Sequence, residues 1–247
     1  MAALQRLRAQ LRLRQRFRDP VAGKHDAQLR WWLEHWDPVI RGGGLKPDDA
    51  LEFLDGEEID STYLGRRWQL ARSQVRRVLS EAAIEDERFY EDKVVVEVGP
   101  GPIGFPDACP ARVSVGVDAL AERYARHELL LPKTAAIYIT AGAEQIPLLS
   151  SSADVVVMRN TLDYVDDPEQ ALTEARRLLA PGGKLITLFD IGHTPSPSQP
   201  NALTVERVRT VLPGMQLVRE NHWDEPFGHD GHRVVVVFEG PAHRIVE

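Results

Sequence analysis

A chain of 247 residues can bury one sizeable core with a small appendage, and 43% apolar with 27% charged residues is the balance of an ordinary soluble globular protein. No apolar run reaches the roughly 18 residues that a membrane span requires. The net charge of −7 argues against a surface built for nucleic acid, and one cysteine, Cys109, excludes an internal disulfide and a cysteine zinc site, which points to a reducing, cytoplasmic setting.

The first 18 residues carry six arginines and no acid, with Leu4, Leu7 and Leu11 at helical spacing. Residues 1–19 read as a basic arm, either solvated or packed on a partner subunit or an acidic surface. Leu29, Trp31, Trp32, Leu33 and Trp36 predict a short helix over 25–37, stopped by Pro38. Gly42-Gly43-Gly44 predicts a hinge, and Lys46-Pro47-Asp48-Asp49 the start of a second helix. A third, capped by Ser61 or Thr62, is expected through Leu64, Trp68, Leu70, Val75, Val78 and Leu79. Residues 20–90 are thus expected to form a helical cap, and residues 91–247 the main domain.

The main domain opens on Val94-Val95-Val96-Glu97-Val98, a β-branched run suited to a strand buried on both faces. It breaks into Gly99-Pro100-Gly101-Pro102-Ile103-Gly104. A strand running into G-x-G-x-x-G brings backbone close to a nucleotide-like ligand, because glycine has no Cβ and tolerates positive φ. Further strands are expected over 111–118, 134–139, 154–159 and 184–190, with helices over 119–131 and 168–179, the latter stopped by Pro181-Gly182-Gly183. A helix at 205–212 precedes two final strands, 215–220 and 233–238, whose connection is too short for a crossover and must make them antiparallel. The pattern predicts an α/β fold: a doubly wound, mostly parallel seven-stranded sheet with its last strand antiparallel, plus the N-terminal helical cap.

Asp118 follows the second strand, where a carboxylate suits ribose hydroxyls. In order, Glu97-x-Gly99-x-Gly101, Gly116-Val117-Asp118, Ala143-Glu144-x-x-Pro147, Leu162-x-x-Val165-x-Asp167-Pro168 and Leu179-x-Pro181-Gly182-Gly183 resemble the class I S-adenosylmethionine-dependent methyltransferases over about 95–240. The resemblance implies S-adenosylmethionine as cofactor and S-adenosylhomocysteine as product. It implies that Gly99 and Gly101 approach the methionine part and that Glu97 orients the turn or reaches the amino group through water. Pro100 stiffens the turn. Asp118 would bind the ribose, Ala119 and Leu120 flank the adenine, Ala143 and Glu144 lie along its edge, and Asn160 stands near the methionine end. Gly142 departs from the pattern, standing where many relatives have an aspartate for the adenine amino group.

Methyl transfer from a sulfonium needs mainly in-line positioning, with a base useful for a protonated acceptor. Candidates beyond the ends of the later strands are Asp163, Tyr164, Asp190 and His193, with His193 the first choice as base. His222, His229, Asp230 and His232 border the final hairpin, and no metal centre is expected there, since no third ligand is identifiable. The expected acceptor is an oxygen or nitrogen of a small, sugar-like or secondary metabolite, with the N-terminal region a candidate contact between copies of the chain. The rival readings are an RNA or protein methyltransferase anchored by the arginine arm, and a non-catalytic cofactor-binding protein.

Overall fold

The computed structural model describes residues 20–42, 58–196, 199–224 and 232–242. The chain divides into two compact units, residues 1–44 and 45–247. The arginine arm, the helix expected from Lys46, and His229 with Asp230 lie outside the described residues.

In the first unit, α1 (Pro20–Trp31) runs through a π-helical turn, Trp32–Trp36, into α2 (Asp37–Gly42). Pro38 was expected to stop this helix and does not. The widened turn lets the Asp37 N–H reach back to the Trp32 carbonyl, so the chain re-enters α-helix with proline in its first turn, where a missing N–H is harmless. Trp31 stacks on Trp36 at 6.3 Å and meets Trp32 edge-on at 4.8 Å.

The second unit is built on a seven-stranded sheet. Its helices and strands, in chain order, are α3 (Tyr63–Glu81), β1 (Val94–Val98), α4 (Phe105–Ala108), β2 (Val113–Val117), α5 (Ala121–Arg126), β3 (Ile137–Ile139), β4 (Ala153–Arg159), α6 (Pro168–Leu178), β5 (Leu179–Ile191), α7 (Val205–Val211), β6 (Gln216–Asp224) and β7 (His232–Glu239). The strand order is β3-β2-β1-β4-β5-β7-β6, with β7 antiparallel to both neighbours and every other pairing parallel. The expected doubly wound sheet with an antiparallel last strand is therefore what forms.

Both faces are covered, as the unbroken valine runs require. One carries Val96, Val98, Val156, Met158 and Phe189 against Ala171, Leu172 and Leu178 of α6 and Val208 of α7. The other carries Val95, Val155, Val157, Ile186 and Leu188 against Val75, Val78 and Leu79 of α3, with Phe89, Tyr90 and Phe105. Helix α3, expected within the cap, thus packs directly on the sheet and belongs to its unit. Thr62 caps it, its Oγ1 accepting the Gly65 N–H at 3.0 Å. The helix expected over 119–131 is shorter, since Glu128 turns at φ +56° and buries Leu129 and Leu131. Among the described residues no helix is long and apolar enough to cross a membrane.

Candidate cofactor and methyl-transfer site

Parallel register decides which residues meet. Val98 pairs with Val117 on one side and Met158 on the other, and Arg159 pairs with Leu188. The segments that follow β1, β2, β4 and β5 therefore emerge at one edge of the sheet, beside the point where strand order reverses between β1 and β4.

Gly99, Gly101 and Gly104 all have positive φ, +72°, +57° and +98°. A Cβ on Gly99 would lie 2.6 Å from the Thr161 Oγ1, which donates to the Val98 carbonyl at 2.8 Å. Only glycine fits there. The Gly99 N–H donates to the Val117 carbonyl at 2.8 Å. Asp118 fastens the rest of the turn: its Oδ2 accepts the Gly101 N–H at 3.0 Å and its Oδ1 the Leu120 N–H at 2.8 Å. Burial pushes the Asp118 acid up, and those two amides pull it back toward the carboxylate. From above, Arg67 of α3 donates to the carbonyls of Pro102, at 2.8 Å, and of Leu129.

Glu97 is 4% exposed and its Oε2 has no partner. Alternation along β1 turns it to the face shared by Val95, where burial raises its acid to about 8, against the pull of Arg159 and with further rise from Asp118 and Asp107. Arg159 is already engaged: its Nε lies 3.4 Å from Glu81 and it donates to Gln74, both on α3. The same burial, with Glu97 nearby, lifts the Cys109 thiol to about 12.

Asn160 follows β4 at φ +48°, its N–H bonded to the Leu188 carbonyl at 3.0 Å and its side chain exposed at the site edge. Pro100 is buried in the turn and Ala119 is half-buried beyond Asp118. The two residues expected along an adenine edge, Ala143 and Glu144, have other contacts in the chain. Ala143 packs in the core, and the Glu144 Oε1 accepts the N–H groups of Asp166 and Asp167, at 2.9 and 3.2 Å, ahead of α6.

Among the base candidates, Asp163 is 0% exposed and its two carboxylate oxygens lack well-aligned donors. Burial first, then Asp190, raises its acid to about 7, although the backbone N–H groups of Asp190 and Asp163 and the charge of Arg233 oppose this. Asp190 at the end of β5 accepts from the Arg233 Nε of β7 at 3.2 Å. The Tyr164 hydroxyl, raised by burial and by Asp163, accepts from Gln199 at 2.9 Å. Asp163, Asp190 and Arg233 are thus buried together, with the half-buried Tyr164 beside Asp163. Both ring nitrogens of His193 are shielded and unpartnered, and no hydrogen bond links it to that group. His222 stands apart, 2.6 Å from Glu220.

Sequence reasoning missed Thr161, Arg67 and Arg233. Their partners lie 63, 35 and 43 residues away along the chain, so no local pattern marks them.

A glycine turn held by an acid from the next strand, on a sheet of this order with its seventh strand antiparallel, defines a Rossmann-like domain of the class I methyltransferase architecture. Residues 96–187 match the family model described as a methyltransferase domain. A protein of Aspergillus luteorubrus named "Probable methyltransferase ltbC" is 32% identical over 130 residues, 46% of each chain. The malonyl-[acyl-carrier protein] O-methyltransferase of Hahella chejuensis is 33% identical over 96 residues, 35% of this chain and 32% of that one. The alignments thus span less than half the length of these curated relatives. The N-methyltransferase NodS of Bradyrhizobium japonicum superposes with a TM-score of 0.53 at 15% identity, over 70% of this chain and 97% of that one, a likeness of fold.

Proposed function

We propose that this protein transfers a methyl group from S-adenosylmethionine to an oxygen or nitrogen of a small molecule. The observation that carries the reading is the glycine turn after β1 locked to Asp118, just after β2, by the 3.0 Å bond from the Gly101 N–H. A Cβ-free approach at Gly99, a buried acid at the adjoining strand end and an unpartnered Glu97 oxygen are the chemistry a cationic nucleoside amino acid calls for.

Gly99 and Gly101 would hold the methionine part, Glu97 would face its positive charge, and Asp118 with Ala119 would hold the nucleoside. Glu144 contributes by fixing the loop after β3 to α6, and so shapes the adenine edge through the backbone. When bound, the cofactor supplies an activated methyl group, whose bond to sulfur breaks as the acceptor's lone pair attacks. The chain's own task is to align the acceptor and remove its proton. His193, with both ring nitrogens unpartnered, is the group we assign to the proton. The whole Asp163 residue is 0% exposed, whereas His193 is half-buried, so the role we give Asp163 is to set the charge behind Tyr164.

The O-methyltransferase relative favours an oxygen acceptor. Titration of S-adenosylmethionine into the wild type and Asp118→Ala tests the reading. Loss of two bonds to a carboxylate should weaken binding by about tenfold or more. Equal affinity would remove Asp118 from the site, and no binding at millimolar cofactor would defeat the enzymatic reading and the non-catalytic cofactor-binding one together.

A further inference from the structure

The acids around the glycine turn outnumber the cations available to them. Glu97 sits between Gly116 of β2 and Val157 of β4 in the sheet register, one residue before the Val98 that leads into the turn. The charged groups that reach it come from three directions: Arg159 from β4, Asp118 from the end of β2 and Asp107 from α4. Arg159 is shared with Glu81 and Gln74, Asp118 with two backbone amides, and Asp107 accepts from the Tyr138 hydroxyl at 2.8 Å. Cys109 and Tyr90, the remaining titratable neighbours, are buried and held neutral. Glu97 is therefore a carboxyl group walled off from water, with one oxygen unpartnered and no cation of its own.

We infer that Glu97 stands as a neutral acid in the free chain and ionises when a cation settles against the glycine turn, so that it selects the positively charged methyl donor over its uncharged-sulfur product. The inference rests on the cofactor reading above. On binding, the Glu97 O–H bond breaks, the electron pair stays on the carboxylate and the proton passes to buffer. The carboxylate then meets the positive charge in a low-dielectric site, where the attraction is strong. After transfer the sulfur is neutral, the reason for ionisation is gone, and Glu97 recovers a proton as the product leaves. Charge therefore favours exchange of product for fresh donor. Burial, which raises this acid to about 8, is what makes the neutral form the resting one near neutral pH.

Calorimetric titration of the full chain in two buffers of different ionisation enthalpy, at about pH 7, counts the protons released on binding. S-adenosylmethionine should release close to one proton, and S-adenosylhomocysteine, which shares the amino group and lacks the sulfonium charge, markedly less. Glu97→Gln should bind both ligands without the difference in release, and its preference for donor over product should fall by about tenfold. Should that variant fail to fold, the wild type repeated at about pH 9 serves: Glu97 is then already ionised, and the excess release should vanish. Equal proton release for the two ligands, with both bound, would overturn the inference and leave the cofactor reading standing. Absence of binding by either ligand would overturn both.

Discussion

Gly99 and Thr161 are mutually fitted, because the space a Cβ would need is filled by a hydroxyl that satisfies the Val98 carbonyl. Gly99→Ala combines a contact of 2.6 Å with a φ of +72°, and should destabilise the domain by about 1–3 kcal/mol. Urea unfolding would show it as a lower midpoint with unchanged slope. Thr161→Val, which removes the hydroxyl and keeps the shape, should cost about 1–3 kcal/mol for the orphaned carbonyl and leave the turn conformation intact. At the same scale, Asp163 invites a test of its indirect role. Asp163→Asn should retain measurable methyl transfer, whereas His193→Ala should reduce turnover with little change in cofactor affinity. Loss of cofactor binding in His193→Ala would mean that the ring supports the cradle instead of the acceptor.

Helix α3 does two jobs along its length. Its C-terminal half buries Val75, Val78 and Leu79 on the sheet, and its N-terminal half presents Arg67 to the glycine turn. Arg67→Met should keep the apolar stem packed while freeing the carbonyls of Pro102 and Leu129, at a cost of about 2–4 kcal/mol, with cofactor affinity falling as the turn loosens. If affinity were unchanged, the helix would be packing alone. The elements themselves were largely legible in the sequence. Valine runs of period one mark buried strands, Thr62 marks a helix start, and glycine after an apolar run marks the turn. What escaped was set by tertiary contact. Proline at 38 is tolerated because the preceding turn widens, and α5 ends early because Leu129 and Leu131 are drawn into the core. Glu144 carried the right motif, yet its carboxylate is engaged by the amides ahead of α6, a partner 22 residues downstream that spacing does not reveal.

For the sheet unit as a whole, two buried acids dominate the pH response. Glu97 is raised from 4.5 to about 8 and Asp163 from 3.8 to about 7. A carboxyl group raised on folding contributes stability that is fully present below its unfolded value and is lost as pH rises through its folded value. The chain without cofactor should therefore lose stability between about pH 5 and pH 8, by an amount on the order of a few kcal/mol. The acids lowered on folding, Asp60, Glu91 and Glu174, respond below that window and do not offset the loss. Urea midpoints across this range should fall for the wild type and flatten in Glu97→Gln and Asp163→Asn. Midpoints that rose with pH would contradict the assignment of both groups.

The site edge gathers residues from four strands that the chain order separates, and everything said of its chemistry depends on the cofactor lying there. A crystal structure of the chain with S-adenosylhomocysteine tests this directly. The account predicts the amino acid part against Gly99 and Gly101, the ribose hydroxyls at Asp118, and the vacant methyl position facing the side of the site that holds His193 and Tyr164. Ligand density away from the glycine turn, or a ribose with no contact to Asp118, would contradict it.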